Sequence, residues 1–241
     1  MATKSTPLAR HRVVSAKAWL AARKRLLANE KKLTHARERL ASERRALPWV
    51  KVEKDYLFDG PKGRETLSAL FEGRSQLVIY HFMFDPRWTE GCAHCSFWAD
   101  TFEPAIVHMN QCDVTMIAVS RAPLAKLKPF KKRMGWGFKW VSSYGSDFNY
   151  DFGVSFTKAQ LAKGTATYNY RKGWAPGPEM PGVSVFYKDP TGTVFHTYSS
   201  YGRGIDWVNT AYQYLDLVPK GRDEEVKGPQ WFVDYHDRYA K

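Results

Sequence analysis

Two cysteines separated by two residues, Cys92-Ala93-His94-Cys95, carry the plainest chemistry in this sequence of 241 residues. The thiolate is the reactive form of cysteine, and a second thiol two positions on can attack the mixed disulfide that the first one forms. Cys92 is therefore the candidate nucleophile and Cys95 the resolving thiol. His94, between them, would add positive charge and lower the pKa of Cys92 further. The expected chemistry is thiol–disulfide exchange with a protein or small-molecule disulfide or thiol, with no cofactor.

Other readings of the pair need a different setting. A structural zinc ion takes four ligands, and this half-site lacks a second Cys-x-x-Cys or close Cys/His pair to complete it. No metal is expected. Two ordinary buried cysteines at this spacing remain an alternative, and Cys112, which opens an apolar segment without a partner, reads as a small buried residue. His81, Trp88, Trp98, Tyr144, Tyr150 and Trp174 could line a substrate groove, although aromatic residues more often fill a core. Asp100, five residues after Cys95, is either a proton acceptor or an exposed carboxylate.

The elements that must position the pair can be read on either side of it. Leu77 to Phe84 is a near-continuous apolar run, as expected of a strand buried on both faces of a sheet. Phe97 to Met109 has helical spacing, Val114 to Val119 is a second apolar strand, Pro123 to Met134 a lysine-rich helix, and Lys139 to Ser143 a third, shorter strand. This alternation predicts an α/β fold with parallel strands and right-handed crossovers. Val183 to Lys188 and Thr193 to Ser199 flank Asp189-Pro190-Thr191-Gly192 as an antiparallel hairpin, and Ile205 to Leu215 can close the domain as a helix. Upstream, Trp49 to Phe58 looks extended, Asp59 to Gly63 is a turn and Thr66 to Phe71 a short helix. Residues 144–180, rich in Gly, Tyr and Phe, are too long for an ordinary connection and read as an insertion near the working surface. The division expected is a basic helical extension over 1–48, an α/β domain over 49–218 that carries this insertion, and a tail over 219–241.

The extension is a separate question. Residues 1–47 hold 13 Lys and Arg against 3 Glu, whereas the rest of the chain has 24 basic against 21 acidic residues. From Ser15 to Leu47 there is no Gly or Pro, and Trp19, Leu26, Leu33, Leu40 and Leu47 recur every seven residues, which predicts one long helix with Ser15 as N-cap and Pro48 as stop. Asn29 and Glu43 narrow its apolar stripe, so a weak coiled coil or a strap across another surface fits, and a homodimer through this helix is open. Nucleic acid is not the expected partner, because the basic stretch lacks a recognition motif; a module with incidental cysteines, built around the basic helix, is the competing class. The longest apolar run is far short of the roughly 20 residues of a membrane span. Met1 to Ser5 leads into a basic segment unlike a secretory signal, which makes a cytoplasmic location the expectation.

The motifs also resemble known families. The Cys92-to-Cys95 motif resembles the redox-active site of the thioredoxin superfamily, with His94 at the position of histidine in the Cys-Pro-His-Cys motif of its oxidising members and Ala93 in place of their proline. Met180-Pro181, just before the strand Val183 to Tyr187, looks like the family's cis-proline, which implies that this bond is cis and that Met180 and Pro181 help hold substrate. Leu57 through Val154 resembles a peroxiredoxin: Thr89-Glu90-Gly91-Cys92 fits its Thr-x-x-Cys, and Val119-Ser120-Arg121 followed by a helix keeps its order, although Pro86 is one residue too close to Thr89. That resemblance implies a thioredoxin-like, peroxiredoxin-type mixed sheet flanked by helices, makes thiol peroxidase activity the second reading, and adds Trp88 and Thr89 to the candidate substrate contacts. Over nearly its whole length, including Tyr80 to Phe84, Gly91 to Asp100, Val185 to Asp189 and His196 to Ser199, the chain is similar to a bacterial thioredoxin-like family called domain of unknown function 899. The similarity implies the fold and a dithiol role but no substrate.

Overall fold

The computed structural model describes residues 12–240. The reading of Met1 to Ser5 as unlike a leader lies outside the described residues. The first element is the long helix α1, Ala16–Arg45, capped by the Ser15 hydroxyl, which accepts the Ala18 N–H at 3.3 Å. No residue of α1 is buried. In its last turn the Arg44 guanidinium lies over the rings of Tyr198 and Trp207.

The chain then forms β1 (Val50–Lys51), β2 (Leu57–Gly60) and β3 (Gly63–Thr66). The expected short helix from Thr66 is instead the end of β3. Pro61 and Lys62 turn β2 back on it, with Gly63 at φ 107°, so that only Ala69–Phe71 is left as one turn of 3-10 helix. Next come β4 (Gln76–His81), α2 (Ala93–Ala99), α3 (Phe102–Gln111), β5 (Val114–Ser120), α4 (Leu124–Arg133) and β6 (Trp140–Ser142). The single helix expected from Phe97 to Met109 is thus two. Pro104 would clash with the carbonyl of residue 100 in a continuous helix, and the break falls at Asp100–Thr101.

Residues 144–180 hold α5 (Phe148–Asp151), α6 (Lys158–Ala162) and the small ribbon β7 (Thr167–Tyr168) and β8 (Arg171–Lys172). The antiparallel hairpin follows as β9 (Gly182–Lys188) and β10 (Val194–Tyr201). The closing helix is split into a 3-10 segment, Gly202–Val208, and α7, Thr210–Leu215, because Asn209 caps the latter through the Tyr212 N–H. A last helix, α8 (Glu224–Lys227), precedes the tail.

One sheet of eight strands, ordered β1-β10-β9-β4-β5-β6-β2-β3, runs through the molecule. β4, β5 and β6 are parallel, while β9 and β2 run antiparallel to their neighbours β4 and β6. This mixed sheet with helical crossovers, followed by an antiparallel hairpin, is thioredoxin-like, as the sequence implies. Alternation along β4 divides the core. Leu77 and Ile79 join Ile117, Val141, Phe148 and Phe186 on one face, whereas Tyr80 and Phe82 join Cys95, Trp98, Phe130 and Trp140 on the other. The cysteine pair belongs to the second face.

Candidate active site

Met83, two residues past the end of β4, positions both cysteines. Its carbonyl accepts the Cys92 N–H at 3.0 Å, and its own N–H donates to the Cys95 sulfur at 3.4 Å. Cys92 is the N-cap residue of α2, half-buried, with its carbonyl accepting the N–H and the hydroxyl of Ser96 at 3.0 and 3.1 Å. Cys95, one helical turn on, is only 1% exposed. The order of strand, loop, pair and helix inferred from sequence is therefore the order that places one thiol at the surface and the other inside.

The loop between Met83 and Cys92 is held from three directions. Lys126 of α4 donates to the carbonyls of Pro86 and Trp88 at 2.6 and 2.9 Å. The tail supplies Tyr235, whose hydroxyl donates to the Gly91 carbonyl, while Glu90 is bound by Arg133 and Arg238. Gly91 itself lies against the aromatic core: a Cβ there would come within 2.7 Å of the Phe82 ring, so the loop can approach this closely only with glycine. The result is an open groove of about 540 Å³ lined by Arg87, Trp88, Thr89, Glu90, Gly91, Cys92 and Tyr235.

The electrostatics of the pair are unequal. The Cys95 thiol as a hydrogen-bond partner, with His94 beside it, holds Cys92 well below the usual thiol range against the opposing effect of burial. His94 is exposed, and its pKa is raised in turn by its interaction with Cys92. Burial, and then the neighbouring Cys92, push Cys95 well above the ordinary value; the Met83 N–H and the Tyr80 hydroxyl act the other way. This arrangement makes the half-buried Cys92 sulfur the more readily ionised of the two. All three cysteines are free.

The remaining sequence candidates separate. Trp88 and Thr89 line the groove with Cys92. Met180 and Pro181 do not. The bond between them is trans, as are all peptide bonds of the described residues, which corrects the cis expectation. Met180 donates its N–H to Val154 and packs with Val154 and Phe156, and the Pro181 carbonyl accepts the Tyr168 hydroxyl. These ties bring the insertion into β9 by a route that the resemblance does not reveal. Trp98 is core, Tyr144 and Trp174 are about half exposed, and His81 is buried on the opposite face of the sheet. Asp100 accepts from the Trp136 indole at 2.8 Å and from His236 at 2.7 Å, as an anchor for the tail. Cys112, expected to be buried, is exposed: α3 ends on it, and the turn through Asp113, at φ 58°, comes before β5.

Sequence reasoning missed an ionic cluster at the same end of the sheet. Asp85 is buried and receives Arg87 at 2.8 Å and Arg121 at 3.0 Å; Arg121 also binds Glu179 at 2.6 Å and lies over the Tyr150 ring. Burial acts to raise Asp85, but the two guanidinium groups keep it below its ordinary value. Burial pushes Glu179 up to about 7 despite Arg121 and the Ser155 hydroxyl. These residues sit 36 and 58 positions apart in pairs, so no local pattern marks them. Among the described residues, no three His, Cys, Asp or Glu side chains meet as a metal-binding set, and no helix is long and apolar enough to cross a membrane.

Comparison with known proteins gives distant structural likenesses. A cysteine-to-serine mutant of peroxiredoxin Q from Xylella fastidiosa has 16% identity and a TM-score of 0.41, with 66% of this chain and 89% of that one covered. The peroxidoxin BcpB of Mycobacterium tuberculosis has 13% identity and a TM-score of 0.45, over 70% and 97% of the two chains. A protein assigned as the thiol:disulfide interchange protein DsbE of Chlorobium tepidum has 14% identity and a TM-score of 0.39, over 70% and 94%. No curated protein matches. The sequence model described as bacterial protein of unknown function (DUF899) matches residues 8–239, nearly the whole chain, and the chain belongs to that family.

Proposed function

We propose that the protein is a thiol–disulfide oxidoreductase in which Cys92 is the nucleophile and Cys95 the resolving thiol. The observation that carries this reading is the inequality of the pair: a half-buried sulfur with a depressed pKa in an open groove, next to a buried sulfur with a raised one. In the reducing direction the Cys92 thiolate attacks one sulfur of a disulfide and expels the other as a thiolate, which takes up a proton. Cys95 then loses its proton and attacks the Cys92 sulfur of the mixed disulfide. The second substrate thiol leaves, and a Cys92–Cys95 disulfide remains. Two electrons pass to the substrate, and the reverse sequence oxidises a dithiol. His94 favours the anionic state of Cys92, and Trp88 and Thr89 offer an aromatic and a hydroxyl contact beside the attacking sulfur.

Equilibration of the full chain with dithiothreitol redox buffers tests this. The expected result is reversible oxidation of one dithiol, lost in Cys92→Ser, with Cys95→Ser accumulating a mixed disulfide at Cys92. Absence of a two-electron couple in the unsubstituted protein refutes it. Thr89 beside Cys92 in the groove favours a second reading, a thiol peroxidase in which hydrogen peroxide oxidises Cys92 to the sulfenic acid and Cys95 condenses with it to release water. Stopped-flow peroxide consumption no faster than that of a free thiol rejects this second reading.

A further inference from the structure

The exposed helix α1 plays no part in the dithiol site, and its surface has a pattern of its own. Trp19, Leu26, Leu33 and Leu40 are 58%, 54%, 60% and 45% exposed, and they fall at a strict interval of seven. A straight helix drifts by about 20° per heptad against such a repeat, so the stripe winds around α1 rather than staying on one side. A flat surface would lose contact with it along its length. A second helix in a left-handed supercoil would follow it.

The charges beside the stripe select the kind of helix. The second seam position is occupied by Ala22, Asn29, Ala36 and Glu43, small enough in two places for close approach. On one flank Arg25, Lys32 and Arg39 are all basic. On the other, Glu30 is the one acid among Arg23, Arg37 and Arg44, and it is already bound to Arg23 at 2.8 Å. A parallel second copy would oppose Lys32 to Arg37 and Arg39 to Arg44, twice each by symmetry, against the one attractive pairing of Arg25 with Glu30, and would bring Glu43 against its own counterpart in the seam. An antiparallel copy would line up the wholly basic flank with itself. Both pairings of like charge oppose assembly.

We propose that the heptad stripe of α1 is a docking surface for an acidic amphipathic helix of a different protein, paired with it as a left-handed coiled coil. Such a partner presents apolar residues to Trp19 through Leu40 and carboxylates to the two basic flanks. No residue of α1 lines the cysteine groove.

The full chain can be tested with a synthetic four-heptad peptide carrying Leu and Ala in its seam and Glu on both flanks. Sedimentation equilibrium and calorimetry should show a monomeric protein that forms a one-to-one complex with this peptide. Affinity should fall at least tenfold with a scrambled peptide of equal composition and with the double substitution Leu26→Asp, Leu33→Asp. Arg25→Glu with Lys32→Glu should reverse the preference toward a peptide with Lys flanks. Both variants lie on an exposed helix, and unchanged near-ultraviolet dichroism verifies the rest of the fold. The proposal is overturned if the acidic peptide does not bind, or if the protein alone is a dimer that Leu33→Asp splits. It is equally overturned if the scrambled peptide or duplex DNA binds as tightly, or if phosphatidylserine vesicles bind more tightly than the peptide.

Discussion

Replacing His81 by glutamine should flatten the acid limb of the protein's stability profile. The His81 ring is buried, stacked on Phe152 and tilted against Phe148, with Nε2 at 2.8 Å from the Ser184 hydroxyl and Nδ1 without a hydrogen-bond partner. The Ser184 hydroxyl continues to Ser199 and from there to His196, so a second imidazole acts on the ring and no carboxylate offsets a charge. Burial first, and then His196, push the His81 pKa from an ordinary 6.5 down to about 3. The unfolded chain therefore binds a proton below 6.5 that the folded chain refuses until far lower pH. Stability from this residue is complete above 6.5 and is lost as pH falls, at about 1.4 kcal/mol per pH unit. Between pH 7.5 and 4.5 the loss amounts to roughly 2–3 kcal/mol, a large part of a typical folding free energy. Urea unfolding of the reduced protein at several pH values, with His81→Gln beside it, measures this directly. Glutamine keeps a polar contact to Ser184 but cannot titrate in this range. The variant should start less stable at pH 7.5 and lose roughly 2–3 kcal/mol less on acidification; parallel profiles for the two proteins would refute the reasoning.

Two further outcomes concern the site. Alkylation of Cys92 by iodoacetamide should reach half its maximal rate at a pH below the ordinary thiol range, and His94→Ala should move that midpoint upward, since the imidazole favours the thiolate; an unmoved midpoint would remove His94 from the site. Tyr235→Phe deletes the hydroxyl that donates to the Gly91 carbonyl and should destabilise the fold by about 1 kcal/mol while speeding hydrogen exchange in residues 85–92; exchange confined to its original rate would show that the loop does not depend on the tail.

The parts legible in the sequence were those determined locally. The Ser15 cap and the Pro48 stop delimit α1 within a few residues, and the apolar run before the cysteine pair could hardly be anything but a central strand. The pair's asymmetry also follows from local order, because a helix begun at Cys92 carries Cys95 inward one turn later. The break at Asp100–Thr101 was written in Pro104 but hidden by helical spacing on both sides of it. Long-range features left no such mark. Nothing near Gly91 announces Tyr235, nothing near Asp85 announces Arg121 or Glu179, and the path of the insertion into Met180-Pro181 depends on Val154 and Tyr168. Cys112 was misplaced because the apolar residues after it do not reveal that the preceding turn is at the surface.

The hydrogen bond from Tyr235 to Gly91 joins positions 144 residues apart. During synthesis, β4, the loop and the cysteine pair leave the ribosome long before the segment that clamps them. A nascent chain can thus build the sheet through β10 while its groove still lacks one wall and the loop before Cys92 is held by Lys126 and Arg133 alone. Maturation of the groove is then vectorial: the cysteine pair is translated early but acquires its final surroundings only after residues 235–238 have been made, which separates the time at which the sheet can form from the time at which the groove is complete.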